Sequence, residues 1–137
     1  NNGRKKKCMY YSEMVKKAVN IMFEAHKDDI DKGGYPYVFH PFYLATKLDG
    51  ENETCVALLH DVIEDHGDKY SFEYLKKEGF NKEIIEALRL LTHKKEIPYM
   101  EYIAKISKND IAKVLFFEMR AFQAQIALPT AIRFGFF

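Results

Sequence analysis

Several features common in other protein classes are scarce or absent in this chain of 137 residues. Its two cysteines, Cys8 and Cys55, lie far apart and form no CxxC pair, so neither a disulfide framework nor a cysteine zinc site is indicated. No apolar run approaches the ~20 residues that a membrane-spanning helix needs, and no secretion leader is recognisable. These absences predict a soluble protein of the reducing cytoplasm with no membrane partner.

A strong net charge is also lacking. Twenty-one Lys and Arg balance twenty Asp and Glu to leave +1, so no global field attracts nucleic acid. The one basic cluster, Arg4 to Lys7, precedes the first apolar periodicity, and we expect residues 1–9 to be a disordered end rather than a nucleic-acid arm. Any anionic substrate must therefore be held by local groups.

The length and the apolar periodicity predict one all-α domain spanning residues 1–137. Apolar residues recur at three- and four-residue steps, and no alternating strand pattern reaches five residues with turn signals at both ends. The predicted helices cover residues 14–26, 41–48 and 53–65, two segments capped by Ser71 and Asn81, a segment from Pro98 to Ile106, and a last one beginning at Asn109 or Asp110. Residues 28–37 form a loop in which Gly33 and Gly34 permit positive φ.

The third predicted helix carries the most distinctive chemistry. At about 100° per residue, His60, Asp61, Glu64 and Asp65 cover one side of it. An imidazole and a carboxylate can share Mn²⁺, Fe²⁺ or Zn²⁺ there and leave a position open for water. A solvated polar helix face is the alternative, but the apolar residues around this sequence favour a buried helix, and buried charges need a metal or partners.

His40 is a candidate for the next ligand. It follows the glycine-bearing loop and precedes Pro41, so it lies near a helix start and could point towards the third helix. A capping or core role is the alternative for a single histidine in this position.

The runs HKDDIDKGGYPYVFHP, from His26 to Pro41, and TCVALLHDVIED resemble the alarmone hydrolase domain of RelA/SpoT enzymes, a branch of the HD metal-dependent phosphohydrolases. The shared pattern is a helix ending in Ala-His, a basic loop, PY-x-x-HP, and then LLHDxxED. The resemblance extends from about Met14 to Val114.

This resemblance implies a role for each matching residue. His40, His60 and Asp61 would be manganese ligands, while Glu64 and Asp65 would position or deprotonate the attacking water. Lys32 would contact substrate phosphates, with a solvated loop lysine as the alternative. His26 matches a histidine near the site that is not a ligand, and we expect it to cap the helix or pack in the core.

Two departures from the family pattern bear on specificity. Asp31 stands where the family usually carries Arg, and an acidic group there would repel a polyphosphate. Glu118 and Phe122 stand where the family has an Asp ligand and an Asn near the substrate, so Glu118 is a doubtful fourth ligand and a three-ligand site with weakened metal affinity is expected. Residues 115–137 form a divergent tail, nearly uncharged from Ala121 onwards, which we expect to pack on the core or on a second copy in a homodimer.

The resemblance therefore implies metal-dependent hydrolysis of a nucleotide pyrophosphate or phosphate ester, with the 3′-pyrophosphate of (p)ppGpp as the leading substrate. Two alternatives stay open. One is an HD phosphatase acting on another nucleotide, which Asp31 favours. The other is a degenerate HD domain that binds nucleotide or a partner without turnover, which the divergent tail favours.

Overall fold

A computed structural model of the chain describes residues 11–92 and 94–126. These residues form seven helices and no β-strand, which confirms the all-α prediction. The helices are α1 (Glu13–His26), α2 (Phe39–Ala45), α3 (Glu51–His66), α4 (Phe72–Lys77), α5 (Lys82–Leu91), α6 (Tyr99–Ser107) and α7 (Asp110–Ile126). The predicted disordered end at residues 1–9, and the part of the tail from residue 127 onwards, lie outside the described residues.

Helix α3 is the centre of the bundle. It packs against α1, α2, α5 and α7. Every residue from Thr54 to Ile63 is buried, so this stretch has no solvated face, and the polar groups of His60 and Asp61 are buried with it. The apolar residues flanking His60 and Asp61 thus place those two side chains inside the protein.

The local sequence accounts for most helix starts. The side chains of Ser12, Ser71 and Asn81 each accept a hydrogen bond from the backbone N–H three residues on, which satisfies a donor that the first helical turn leaves free. Asn109 does the same for Ala112 at the start of α7. Gly79 ends the α4 region at φ 97°, a conformation that favours glycine.

Helix α2 begins two residues earlier than the position of Pro41 suggests, and ends at Ala45 rather than near Leu48. Pro41 still lies in the first turn, where its missing N–H costs no hydrogen bond. His40 is consequently the second helical residue, and its direction is fixed by the helix. No helix within the described ranges is both long and apolar enough to cross a membrane.

Candidate metal centre

Helices α2 and α3 bring His40, His60 and Asp61 together. One donor atom from each of these residues lies within 4.8 Å of the other two. The His60 Nε2 atom is 3.2 Å, and the His40 Nε2 atom 3.5 Å, from the same carboxylate oxygen, Oδ2 of Asp61. The side chains of His60 and Asp61 are almost fully buried, and that of His40 is 19% exposed, so His40 is the member of the cluster most open to solvent.

The orientation of the His60 ring is set by its own helix. Its Nδ1 atom is 2.8 Å from the carbonyl oxygen of Ala57, one turn back in α3, and a carbonyl can only accept. The Nδ1 atom therefore carries a proton. In the neutral imidazole, Nε2 is then the nitrogen whose lone pair is free to bind a metal ion. This buried Nε2 atom faces Oδ2 of Asp61 at 3.2 Å, where the two groups can share a proton or bind one ion.

Asp61 is held in its charged form. Burial alone would raise its pKa, but the charge of His60 and the hydrogen bonds from His40, His60 and Tyr37 lower the pKa below its usual value. The Tyr37 hydroxyl donates to Oδ2 of Asp61, and burial followed by the Asp61 charge raises the pKa of that phenol. Tyr37 thus stays protonated and orients the carboxylate.

His60 experiences two opposed effects. Its burial lowers the pKa of the imidazole, but the neighbouring Asp61 charge and the hydrogen bonds to Asp61 and Ala57 raise the pKa above its ordinary value overall. A proton and a metal ion would therefore compete for the same Nε2 atom.

The donor set fits a divalent transition metal. Two imidazoles and one carboxylate suit Mn²⁺, Fe²⁺ or Zn²⁺, and three protein ligands leave coordination positions for water or substrate. The Ala57 carbonyl and the Tyr37 hydroxyl are the outer partners that orient ligating His and Asp side chains in such sites.

Glu64 and Asp65 lie one turn further along α3, and both are exposed. Although Asp65 is exposed, part of its surface is shielded from water, and this desolvation is the largest cause that raises the pKa of its carboxyl. The negative charge of Asp61 is the second cause. A carboxylate with a raised pKa is a better proton acceptor near neutral pH than an ordinary one. Asp65 is thus close enough to Asp61 for the two charges to interact.

The loop before α2 is a tight turn rather than an irregular segment. Ile30 and Pro36 form an isolated antiparallel bridge, and Gly34 adopts φ 83° at its tip. The Oδ1 atom of Asp31 accepts hydrogen bonds from the backbone N–H groups of Gly33 and Tyr35. Asp31 therefore holds the turn together, and two backbone donors offset part of its negative charge.

Lys32 and Glu118 are not part of the three-donor cluster. Lys32 is exposed at the tip of the turn. Glu118 is half-buried and lines a cavity of about 260 Å³ between α2 and α7, together with Tyr43, Lys47 and Phe122. The ring of Phe122 lies 4.4 Å from that of His40, centroid to centroid. An apolar ring therefore packs on one ligand candidate at the position where the resembled family has an Asn.

Two features were missed by the sequence interpretation. Tyr37 was given no role, although it lies only three residues before His40 in the sequence. The second is a separate cluster of His26, Asp29 and His66, in which both rings contact one Asp29 oxygen. The sequence did offer one signal for this cluster, which is a histidine at or just after the end of each of two predicted helices. His26 is fully buried, in agreement with the expected core position.

No protein-family model matches this sequence. The resemblance to RelA/SpoT hydrolases therefore stays a prediction from the motifs quoted above.

Proposed function

We propose that this chain is a metal-dependent phosphohydrolase that cleaves a nucleotide pyrophosphate or phosphate ester, with the 3′-pyrophosphate of (p)ppGpp as its leading substrate. The observation that carries the proposal is the buried cluster of His40, His60 and Asp61, whose donor atoms lie within 4.8 Å of one another. The Nε2 atoms of His60 and His40, which face one Asp61 oxygen at 3.2 and 3.5 Å, support a role in binding an ion.

His40, His60 and Asp61 would hold a divalent cation, with Mn²⁺ as the first choice, which would supply positive charge to the phosphate and lower the pKa of a water molecule. Asp65 accepts the proton that the water loses as its oxygen attacks phosphorus, because the raised pKa of its carboxyl suits a general base. Glu64, on the same exposed turn, orients that water. The bond from phosphorus to the ribose 3′ oxygen breaks, and pyrophosphate leaves.

Lys32 contributes to substrate binding in this proposal. Its ammonium group, at the exposed tip of the turn, pairs with a phosphate as a point charge. The hydrogen bonds from Gly33 and Tyr35 offset part of the Asp31 charge, so this residue repels a polyphosphate less than a bare carboxylate would. The guanosine polyphosphate substrate is accordingly retained over a less charged nucleotide.

A nucleotide-binding domain without turnover is the second candidate, and Phe122 is the observation that favours it. This ring packs against both His40 and Tyr43, at the position where the resembled family has an Asn near the substrate. A phenyl ring cannot replace the hydrogen bonds of that amide.

A nucleotide panel with added Mn²⁺ tests the proposal and separates the two candidates. It includes a guanosine 3′-diphosphate and nucleotides that carry only 5′ phosphates, and it measures released phosphate and released pyrophosphate separately. We expect Mn²⁺-dependent pyrophosphate release from the 3′-diphosphate, reduced at least ~100-fold in His60→Ala. Nucleotide binding with no metal-stimulated release from any member would instead identify the binding domain.

A further inference from the structure

A second group of metal-binding side chains lies where α1 and α3 end. His26 is the last residue of α1, His66 is the last residue of α3, and Asp29 lies in the loop that follows α1. The Oδ2 atom of Asp29 is 2.9 Å from His26 Nδ1 and 2.7 Å from His66 Nε2. One donor atom of each residue lies within 4.8 Å of the other two.

The two distances between Asp29 and the imidazole nitrogens are close to those between the ligands of a real metal site. Ligands about 2.0–2.1 Å from a tetrahedral ion lie roughly 3.3 Å apart. The two distances to Asp29 Oδ2 therefore need to lengthen by only about 0.4–0.6 Å to admit an ion. The side chains of Asp29 and His66 are 35% and 31% exposed, so they have room for that adjustment and an ion can enter from solvent.

The local field favours a cation at this position. The negative ends of two helix dipoles meet here, because α1 and α3 both terminate at the cluster. Hydrogen bonds from His66 and then His26 lower the pKa of the Asp29 carboxyl, so this group carries its charge at neutral pH.

The His26 side chain is fully buried, and the ring nitrogen that faces Asp29 is Nδ1, at 2.9 Å from Oδ2. Nδ1 is therefore the atom that would meet an ion in this cluster, while the opposite nitrogen, Nε2, has no hydrogen-bond partner within the described part of the chain. The ring also lies 4.9 Å from the ring of Tyr37, centroid to centroid, so the second cluster adjoins the residue that orients Asp61.

We propose that His26, Asp29 and His66 form a second divalent metal site, selective for Zn²⁺ and similar late first-row ions. Two imidazoles and one carboxylate suit these ions better than Mg²⁺ or Ca²⁺, which prefer oxygen ligands. A bound ion clamps the end of α1 to the end of α3 and fixes the start of the loop that carries Asp31 and Lys32. The site does not depend on the proposed hydrolase activity.

Zn²⁺ binding to the whole chain, measured by equilibrium dialysis and elemental analysis after removal of metals with a chelator, tests the site. The variants are His60→Ala, His66→Gln, and the two combined. We expect His66→Gln to remove one Zn²⁺ per chain in both the native and the His60→Ala background. Equal Zn²⁺ content in His60→Ala and in the double variant would overturn the second site, whether or not the first site binds metal.

Asp29→Asn is the second probe, with the exposed Asp68→Asn as its matched control. We expect the first substitution to weaken Zn²⁺ binding at least ~10-fold in the His60→Ala background and the control to leave it unchanged. Where a variant fails to fold, Co²⁺ added to His60→Ala reports on the intact cluster. Visible absorption bands of bound Co²⁺ and a rise in Tm with Zn²⁺ are expected, and the absence of both would contradict the proposal.

Discussion

Under the proposed function, two residues of α3 bind the ion and two act on the water. His60 and Asp61 are buried at the centre of the bundle, while Glu64 and Asp65 are exposed one turn later. This difference in burial follows from their positions along one helix. It predicts different consequences for substitutions in the two pairs.

We expect Glu64→Gln and Asp65→Asn to lower kcat by roughly 10²–10⁴-fold while leaving Mn²⁺ content intact, because they remove a proton acceptor and not a ligand. Steady-state rates and elemental analysis on the same samples measure both effects. Asp68→Asn, an identical change at an exposed position just past the end of α3, is the control and should match the native chain. Metal loss from the Glu64 or Asp65 variant would show that it is a ligand or part of the scaffold.

The structure changes the prediction for Asp31. On sequence grounds Asp31→Arg should improve hydrolysis of a polyphosphate, but Arg cannot accept the hydrogen bonds from Gly33 and Tyr35. Asp31→Asn keeps an acceptor oxygen and removes the charge. We expect Asp31→Asn to lower KM for the 3′-diphosphate by up to ~10-fold with kcat unchanged, and Asp31→Arg to lose that gain. An unchanged KM in Asp31→Asn would mean that the turn does not approach the nucleotide.

The sequence could identify residues whose burial follows from their neighbours in the chain. His60 and Asp61 could be predicted because the apolar residues around them require burial. Asp29 could not, since its two partners come from the ends of different helices, and only the packing of α1 on α3 brings them together. Whether any of these residues binds metal stays a prediction.

Among the helices, α5 begins at a side-chain cap that also contacts α3. The Asn81 side chain accepts from the Ile84 N–H, and its amide nitrogen donates to Asn52 of α3. This one residue therefore both starts α5 and attaches it to the central helix.

We expect Asn81→Ala to lower the free energy of unfolding by about 1–2 kcal/mol, because the cap and the bond to Asn52 are lost together. Urea denaturation followed by circular dichroism measures this change. Asn81→Ser is the control: its hydroxyl keeps the cap but not the bond, so an intermediate loss is expected. A loss in Asn81→Ser equal to that in Asn81→Ala would assign the effect to Asn52 alone.

Helix starts were predictable because capping residues act within four residues of sequence. The bounds of α2 were not, because Pro41 is tolerated anywhere in a first turn and so does not define which residue begins it. This small difference matters for the site, since it places His40 inside the helix and fixes its direction towards Asp61.

For the molecule as a whole, buried neutral groups predict a loss of stability in alkali. Burial is the largest cause that raises the pKa of the Cys55 thiol to about 12, and the charge of Glu51 adds to it. Burial likewise raises the pKa of Tyr102 to about 12, with smaller contributions from the charges of Glu64 and Tyr99. Both groups ionise at lower pH in the unfolded chain, near 9 and 10. Their contribution to stability is therefore complete below pH 9 and is lost as pH rises towards 12.

We expect the free energy of unfolding to fall by up to about 1.4 kcal/mol per pH unit for each such group across this range. Urea denaturation of the native chain and of Cys55→Ala between pH 7 and 11 measures the contribution of the thiol. The native chain should lose more stability than Cys55→Ala above pH 9. Parallel curves for the two proteins would contradict the role given to burial.

The all-α class followed from periodicity alone, whereas the arrangement of helices around α3 required the packing of surfaces distant in sequence. The resemblance to RelA/SpoT hydrolases identified the same three donors that the fold brings together. It did not indicate the Phe122 cover on His40, because that contact depends on how α7 packs against α2.

The central claim is that His40, His60 and Asp61 form a metal centre, and Mn²⁺ binding followed by electron paramagnetic resonance tests it most directly. The native chain, His60→Ala and His66→Gln are titrated with Mn²⁺ after removal of metals. We predict one Mn²⁺ bound per chain in the native protein and in His66→Gln, and its loss in folded His60→Ala. Equal Mn²⁺ binding in the native chain and in His60→Ala would contradict the account.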